Sequence, residues 1–334
     1  MTLPRIARHV ALALMLIAVA MAGIAWWTVL KPLTLPRSPY EFDVKSGMSL
    51  SAVARELQGA DVLPHAFPMI ALARLSGVDR AIKAGSYEIE TGITLRQLLG
   101  RLTQGDATQT SFAIIEGTTF ADVRRALRDG GEVRNTVLDL PDNELMSRLG
   151  APGTSAEGRF FPDTYFFAAG SIDLNLLRRA HDAMNARLAA AWERRADGLP
   201  LASPDEALIL ASIVEKETGR PVDRPLIASV FINRLKRGMR LQTDPTVIYG
   251  LGNRFDGNLR RRDLDTDTPW NTYTRDGLPP TPIALPSQAS LDAVLHPPPT
   301  EFLYFVARGD GTSQFSTNLT DHNRAVAKFQ KGAH

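Results

Sequence analysis

Residues 201–221 read LASPDEALILASIVEKETGRP and contain the signals for one complete helix. Ser203 and Glu206 are spaced as a capping box, in which side chains bond the free backbone N–H groups at a helix start. Gly219 followed by Pro221 ends the helix, because glycine accepts the backbone of a helix end and proline does not continue it. Apolar residues recur between these signals at spacings of three and four, which predicts that one face packs into a protein core.

The helix carries two glutamates near its end, and its periodicity places them on different faces. Glu217 continues the apolar stripe by three or four residues. Glu215 lies about 160° away around the helix axis, so the two acids are not predicted to form a paired-carboxylate site. The face of Glu215 is predicted to be the more polar one. The residues of the apolar stripe are Ala207, Leu210, Ile213 and Val214.

The predicted position of Glu217 has two physical consequences for its pKa. Apolar surroundings and the negative end of the helix dipole both favour the protonated carboxyl, so the pKa is predicted to be raised. A carboxyl that stays protonated near neutral pH is suited to act as a general acid. The residues alone leave open the alternative that Glu217 only bonds a neighbouring backbone group or an arginine.

The bulk composition excludes several classes of function. A chain of 334 residues predicts two compact units, and its net charge of +2 without like-charge blocks gives no case for a nucleic-acid partner. The absence of cysteine excludes disulfides and thiolate chemistry, and six scattered histidines predict no histidine-based metal site. The common nucleotide-binding and serine-hydrolase motifs are also absent. Any chemistry is therefore predicted to use carboxylates.

The first forty residues predict a membrane anchor. Residues 10–30 contain no charged side chain, and 21 helical residues span about 31 Å, the thickness of a bilayer core. Trp26 and Trp27 fall at one end, where indole rings favour the interface. The basic residues within 1–9 favour a cytoplasmic tail, and residues 31–40 read as a proline-rich linker. The alternative is a cleavable signal peptide, because small residues occur at cleavage spacing within 18–22.

Three segments share the pattern of a strand, a glycine turn, a Ser or Thr helix cap and an amphipathic helix. They are 44–57, 88–102 and 114–127. The first resembles the opening of the LysM peptidoglycan-binding module, so residues 41–108 are predicted to form a LysM-like α+β subdomain. On the pattern alone, plain structural packing is favoured over glycan binding, because the capping signals are generic. Residues 109–156 are predicted to be a connecting strand–helix and a hinge. Near the end of the chain, residues 303–307 and 312–316 flank Asp310-Gly311 and are predicted to form a hairpin.

Beyond residue 156 a series of motifs follows in a fixed order. They are 157–165, 209–217, 228–235, 239–249, 270–274, 277–280, 304–307 and 318–322. In sequence and order this set resembles the endolytic murein transglycosylase (YceG-like) family, with agreement over roughly residues 40–330. A long ordered set of this kind is more specific than any single match.

The resemblance implies a fold and an activity. The fold is α+β, with one amino-terminal membrane helix, a small LysM-like subdomain and a larger catalytic domain over 157–330. The activity is cleavage of the β-1,4 bond between N-acetylmuramic acid and N-acetylglucosamine in nascent glycan strands, leaving 1,6-anhydromuramic acid ends and needing no cofactor. The family's catalytic residue is the second glutamate of its Glu-x-Glu pair, which is Glu217 here. The implied location is the inner membrane with the catalytic domain in the periplasm, and cell-wall synthases are implied as partners.

Five further residues are candidates for substrate binding. Gln242, Asn271 and Tyr273 carry groups that bond N-acetyl or hydroxyl groups, Trp270 has a ring that stacks on a sugar face, and Asp244 is the best candidate for a second acid. Each has an equally good structural explanation, since side chains of this kind satisfy backbone groups in a proline-rich loop. Two other functions stay open from the residues: a non-catalytic peptidoglycan-binding scaffold and a hydrolytic muramidase that uses water.

Overall fold

The computed structural model describes residues 27–44, 47–83, 85–104, 109–168 and 171–330, with five isolated positions before residue 27. Short strands and helices make up an α+β fold, as the sequence predicts. The chain divides into two compact units, the first comprising Met1–Ser111 with Phe166–Ser171 and the second Phe112–Tyr165 with Ile172–His334.

Within its described residues, the first unit contains a two-stranded antiparallel sheet and three helices. Its strands pair from Tyr40 opposite Ile89 to Val44 opposite Gly85. Leu57, Met69 and Leu98 are fully buried among the helices and form the centre of its core. The elements are β1 (Tyr40–Val44), α1 (Leu50–Gly59), α2 (Phe67–Leu75), β2 (Gly85–Ile89) and α3 (Leu95–Gln104).

The elements from residue 109 onward are mainly helical. β3 pairs with β4, and β5 pairs with β6 in an antiparallel hairpin around the predicted Asp310–Gly311 turn. The elements are β3 (Gln109–Ala113), α4 (Phe120–Gly130), α5 (Asp142–Arg148), β4 (Thr164–Ala168), α6 (Asp173–Glu193), α7 (Pro204–Glu217), α8 (Arg224–Lys236), α9 (Asp244–Leu251), α10 (Arg261–Asp265), α11 (Gln288–Leu295), β5 (Tyr304–Ala307), β6 (Ser313–Ser316) and α12 (Leu319–Phe329).

The three predicted strand–turn–helix segments are confirmed, with their caps. The Ser49 hydroxyl accepts from the Ala52 N–H at the start of α1, and Thr94 exchanges hydrogen bonds with Gln97 at the start of α3. At the start of α4, Thr119 and Asp122 form a complete capping box. A side-chain acceptor therefore satisfies the exposed N–H groups at all three helix starts.

Helix α7 is the centre of the second unit, and it is more enclosed than its sequence predicts. Every residue from 207 to 214 is buried, instead of a single apolar stripe. Helices α6, α8, α9 and α11 all pack against it, so no side of its middle turns faces water. The predicted boundaries are confirmed: the Ser203 hydroxyl accepts from the Glu206 N–H at 3.3 Å, and the last helical residue is Glu217.

Two sequence predictions, the membrane helix and the connector, are not settled by the structure. The membrane helix predicted at 10–30 lies largely outside the described residues. Of the helices described, none is long and apolar enough to cross a membrane. The connector predicted at 109–156 contains α4 and α5, and residues 112–156 group with the second unit. The limits predicted for the subdomains stay predictions.

A buried carboxylate fastens the segment before α5 to the start of α6. Asp173 is fully buried. Its carboxylate accepts hydrogen bonds from the N–H groups of Thr136, Val137 and Leu138 at 2.8–3.1 Å, and from the Thr136 hydroxyl. Backbone donors of this kind stay satisfied only while the acceptor is present.

We expect Asp173→Asn to lower the free energy of unfolding by about 3 kcal/mol, because an amide offers one acceptor oxygen where the carboxylate offers two. Urea denaturation measures this difference. Glu193→Gln, an exposed change at the other end of α6, is the matched control and is expected to stay within about 0.5 kcal/mol of the unmodified chain. An equal effect of the two substitutions would contradict the anchoring role of Asp173.

Candidate active site

The carboxyl of Glu217 lies at the end of the enclosed helix α7, partly buried. Its Oε2 atom accepts a hydrogen bond from the hydroxyl of Thr243 at 2.8 Å. Burial is the main reason that the pKa of Glu217 is raised to about 7; the Thr243 hydrogen bond and the charge of Arg234 act to lower it, and the charge of Asp244 acts to raise it. The raised pKa predicted from the helix position is confirmed, and burial is its main cause.

Thr243 belongs to a short segment that is fixed on both sides. Its backbone N–H donates to the Thr272 hydroxyl at 3.1 Å, and the N–H of Gln242 donates to the Thr272 carbonyl at 3.2 Å. Gln242 has a φ of +51°, a left-handed conformation that a side chain with a β-carbon rarely adopts. Sequence reasoning missed Thr243, although a threonine directly before the Asp-Pro start of α9 was a possible signal.

Asp244 and Tyr273 meet beside Glu217. The Tyr273 hydroxyl donates to Asp244 at 2.6 Å. The charge of Asp244 raises the pKa of Glu217, and the charge of Glu217 in turn raises the pKa of Tyr273. Burial is the main reason that the pKa of Tyr273 is raised. The structure thus brings together three predicted site residues, and Gln242 is exposed on the adjoining segment.

Trp270 and Asn271 occupy more enclosed positions. The Trp270 Nε1–H donates to the Thr281 hydroxyl at 2.9 Å, and its ring meets that of Tyr249 edge-on at 5.4 Å between centroids. Asn271 is fully buried, with its amide nitrogen bonded to the carbonyls of Leu264 and Thr266 and its amide oxygen accepting from the Tyr273 N–H. This placement favours the structural explanation for Asn271, and its role in substrate binding stays a prediction.

Glu215 has different surroundings from Glu217, as the helical periodicity predicts. Its Oε2 accepts from the Ser287 N–H at 2.8 Å, from the Ser287 hydroxyl and from the Ser290 hydroxyl at 2.7 Å. Arg224 approaches its other oxygen at 3.5 Å. The polar face was predicted correctly, but it is covered by the start of α11, so the Glu215 side chain is only 6% exposed. Glu215 therefore links α7 to α11.

A second buried carboxyl, Glu157, was not singled out by sequence reasoning. It accepts from the backbone N–H of Phe120 at 3.0 Å and from the hydroxyl of Tyr249 at 3.2 Å. Burial raises its pKa to about 7. Its only sequence signal was its place at the start of the motif over residues 157–165. Its partners connect α4 and α9, so it is positioned to hold these elements together.

Among the described residues, no three His, Asp or Glu side chains are grouped as metal ligands. The groups around Glu217 are a carboxyl with a pKa near 7, which is Glu217 itself, the Asp244 carboxylate bonded to the Tyr273 phenol, and the buried Arg234. Such a set can donate and take back a proton at one position.

Comparison with known proteins agrees with these motifs. The profile of the YceG-like family matches residues 42–328, which is most of the chain. The chain belongs to the YceG-like family. This assignment confirms the family predicted from the ordered motifs, and Glu217 lies inside the matched region.

Relatives of known name are similar over most of the chain. It is 32% identical to the endolytic murein transglycosylase of Bacillus subtilis (strain 168) over 311 residues, covering 88% of this chain and 85% of the relative. It is 26% identical to the endolytic murein transglycosylase of Streptococcus pneumoniae (strain D39) over 85% of this chain, but spans only 57% of that protein. A crystal structure of a YceG-like protein from Listeria monocytogenes is 27% identical and superposes with a TM-score of 0.54, covering 85% of this chain and 98% of that one.

The two glutamates of α7 are expected to affect stability in opposite ways. For Glu217 the pKa is 4.5 in a solvated chain and about 7 when folded. The folded state therefore binds the proton more tightly, and stability is lost as pH rises from about 4.5 through about 7. Glu217→Gln removes this loss, so we expect it to stabilise the protein by up to about 3 kcal/mol at pH 8 and by little at pH 4.

Urea denaturation of the unmodified chain and the two single variants at both pH values measures this effect. Glu215→Gln is the matched comparison two residues away, and it is expected to destabilise the protein at pH 8 because three donors lose a carboxylate acceptor. A gain from Glu217→Gln that is the same at pH 4 and pH 8 would show that the Glu217 carboxyl is not held above its ordinary pKa.

Proposed function

We propose that the chain is an endolytic murein transglycosylase, which cleaves the β-1,4 bond between N-acetylmuramic acid and N-acetylglucosamine and leaves 1,6-anhydromuramic acid ends. The observation that carries the proposal is Glu217, a carboxyl with a pKa of about 7 at the end of α7. It occupies the position of the catalytic glutamate that the family motif predicts. The names of the relatives from Bacillus subtilis and Streptococcus pneumoniae support the same substrate.

One carboxyl is sufficient for this reaction. The protonated Glu217 gives its proton to O4 of N-acetylglucosamine as the bond between O4 and C1 of muramic acid breaks. The resulting carboxylate then removes the proton from the C6 hydroxyl of the same muramic acid while O6 bonds to C1. Glu217 ends protonated as it began, and no water is consumed.

Three neighbouring residues are proposed to bind the sugar. Gln242 is exposed beside Thr243 and offers an amide to the N-acetyl groups. Asp244 and Tyr273 form a bonded pair next to Glu217 and offer acceptors and a donor to hydroxyl groups. Trp270 is proposed to stack on a sugar face with the part of its ring that the edge-on contact with Tyr249 leaves uncovered.

The cellular setting rests on the sequence. We propose that residues 10–30 anchor the chain in the inner membrane and that everything after residue 30 is periplasmic. The unit that contains β1, β2 and helices α1, α2 and α3 is proposed to be LysM-like and to contact glycan. In this setting the enzyme acts on nascent strands and ends their elongation, with cell-wall synthases as partners.

If residues 10–30 form an anchor, the full-length chain is expected to stay with the membrane pellet after an alkaline carbonate wash, because an apolar helix partitions into the bilayer. A version lacking residues 1–30 but exported by a cleavable signal is the control and is expected to be soluble. If the chain expressed from the full-length sequence is instead recovered with residue 21 or 23 as its first residue, a cleaved signal peptide is supported.

The reaction is tested on purified glycan strands by mass spectrometry of the products. We expect anhydro ends, whose mass is one water lower than that of reducing ends, and we expect Glu217→Gln to reduce the cleavage rate at least about 100-fold. Glu215→Asp, which keeps the charge on the opposite face, is the control for damage to α7. Products with reducing ends would support a muramidase, and binding without cleavage by the unmodified chain would support a scaffold.

A further inference from the structure

Arg234 is a buried cation without a carboxylate partner. It lies on α8 and is 8% exposed. Its Nε donates to the carbonyl of Leu303 at 2.7 Å, and its Nη1 donates to the carbonyls of Leu241 at 2.8 Å and Arg240 at 3.1 Å. Among the residues described, no carboxylate oxygen lies within salt-bridge distance of its guanidinium. Burying a charge costs free energy because water no longer solvates it. If this position needed only hydrogen-bond donors, a neutral side chain would supply them without that cost.

The guanidinium is held in one place by further contacts. Its central carbon lies 5.1 Å from the ring centroid of Tyr304, a cation–π distance. On β5 the same Tyr304 ring stacks on the imidazole of His322, also at 5.1 Å. Neither contact neutralises the charge. The positive charge of Arg234 is therefore fixed in position, next to aromatic rings, and no carboxylate among the described residues pairs with it.

Arg234 bonds the chain segment that immediately precedes Thr243, the hydrogen-bond partner of Glu217. Nη1 holds the carbonyls of residues 240 and 241 and lies 3.4 Å from the side-chain oxygen of Gln242. The next residue is Thr243, whose hydroxyl donates to Glu217. The left-handed backbone of Gln242 needs external support, because its conformation is unfavourable for a residue with a β-carbon. Arg234 supplies that support from the adjacent carbonyls.

We propose that Arg234 is a positioning residue for the reaction: it holds residues 240–243 so that the Thr243 hydroxyl meets Glu217, and its charge stabilises the carboxylate that Glu217 becomes between giving and regaining the proton. The proposal rests on the proposed function. A fixed cation near a charge that develops only during the reaction lowers the barrier without reorganising. Arg234 acts through Glu217 and Thr243, and it is not required to touch the sugar.

The other charged and titratable groups around Glu217 act differently. Asp244 on α9 raises the pKa of Glu217, and Tyr273 is a neutral phenol near neutral pH. Tyr304 on β5 faces Arg234, and His322 on α12 stacks on the Tyr304 ring and has its pKa lowered by burial and by the charge of Arg234. Of the charged groups in the described structure that influence Glu217, Arg234 is the one that favours its carboxylate form. Its removal therefore has a predictable direction.

The test is the pH dependence of glycan cleavage by the full-length protein and three variants. Arg234→Met removes both the charge and the hydrogen bonds, and Arg234→Lys keeps the charge but loses the planar fork. Asn233→Ala is the matched control, because Asn233 lies next to Arg234 and bonds the carbonyls of Thr300 and Phe302 but not the 240–243 segment.

We expect the unmodified enzyme to lose activity as pH rises through about 7, because the protonated Glu217 is then depleted. In Arg234→Met the fall is expected at higher pH, by at least about half a pH unit, and the plateau rate is expected to drop at least about tenfold. Arg234→Lys is also expected to have a lower plateau rate, but the pH at which its activity falls is expected to stay closer to that of the unmodified enzyme. Asn233→Ala is expected to leave the position of the fall unchanged.

If Arg234→Met lowers the cleavage rate by the same factor at every pH, the proposal is overturned. A residue that only holds the fold would not change the pH at which Glu217 titrates. If that variant does not fold, Thr243→Val and its combination with Arg234→Lys decide the question. Residues that act through one another give a double variant that loses less than the product of the two single losses. Independent, multiplicative losses would contradict the proposal.

Failure of the proposed function can be separated from failure of this inference. If the unmodified protein cuts no glycan at any pH, the titration of the Glu217 carboxyl is followed by carbon NMR in the same variants, which needs no turnover. A midpoint that rises in Arg234→Met but not in Asn233→Ala supports the role of Arg234. An unchanged midpoint contradicts it.

Discussion

The enclosure of α7 is the constraint on which the site depends. Four helices cover its middle turns, so the carboxyl at its last residue is partly withdrawn from water as well. Withdrawal favours the protonated form and raises the pKa of Glu217. Thr243 and Arg234 oppose that effect without cancelling it. The packing of the domain and the proton affinity of one side chain are therefore two consequences of the same arrangement.

The two glutamates of α7 show how partners decide what a buried acid does. Glu215 receives three hydrogen bonds at one oxygen and links two helices. From the part of the chain that the structure describes, Glu217 receives one hydrogen bond, from Thr243, so its carboxyl keeps the capacity to exchange a proton. Both acids are glutamates on the same helix, two positions apart. Helical periodicity separates them, and the donors that each face meets assign a linking role to one and a titratable carboxyl to the other.

Local signals in the sequence predicted the features that depend on neighbouring residues. These include the caps at Ser49, Thr119 and Ser203, the end of α7 at Glu217 and the hairpin around Asp310–Gly311. Features that depend on distant residues were not predictable in this way. Thr243 lies 26 positions from Glu217, and Leu303 lies 69 positions from Arg234. The full burial of Asn271 likewise follows from a loop that folds back on itself, which no spacing rule describes.

A single residue that serves as acid and then as base faces opposite demands. Giving a proton to O4 is easier when the carboxyl is a stronger acid, whereas removing the proton from the C6 hydroxyl is easier when the carboxylate is a stronger base. A pKa of about 7 lies between these demands near neutral pH. Burial alone would favour the second step at the expense of the first. The opposing contributions of Thr243 and Arg234 thus have a chemical purpose in this reaction, and a buried arginine without a carboxylate partner is consistent with it.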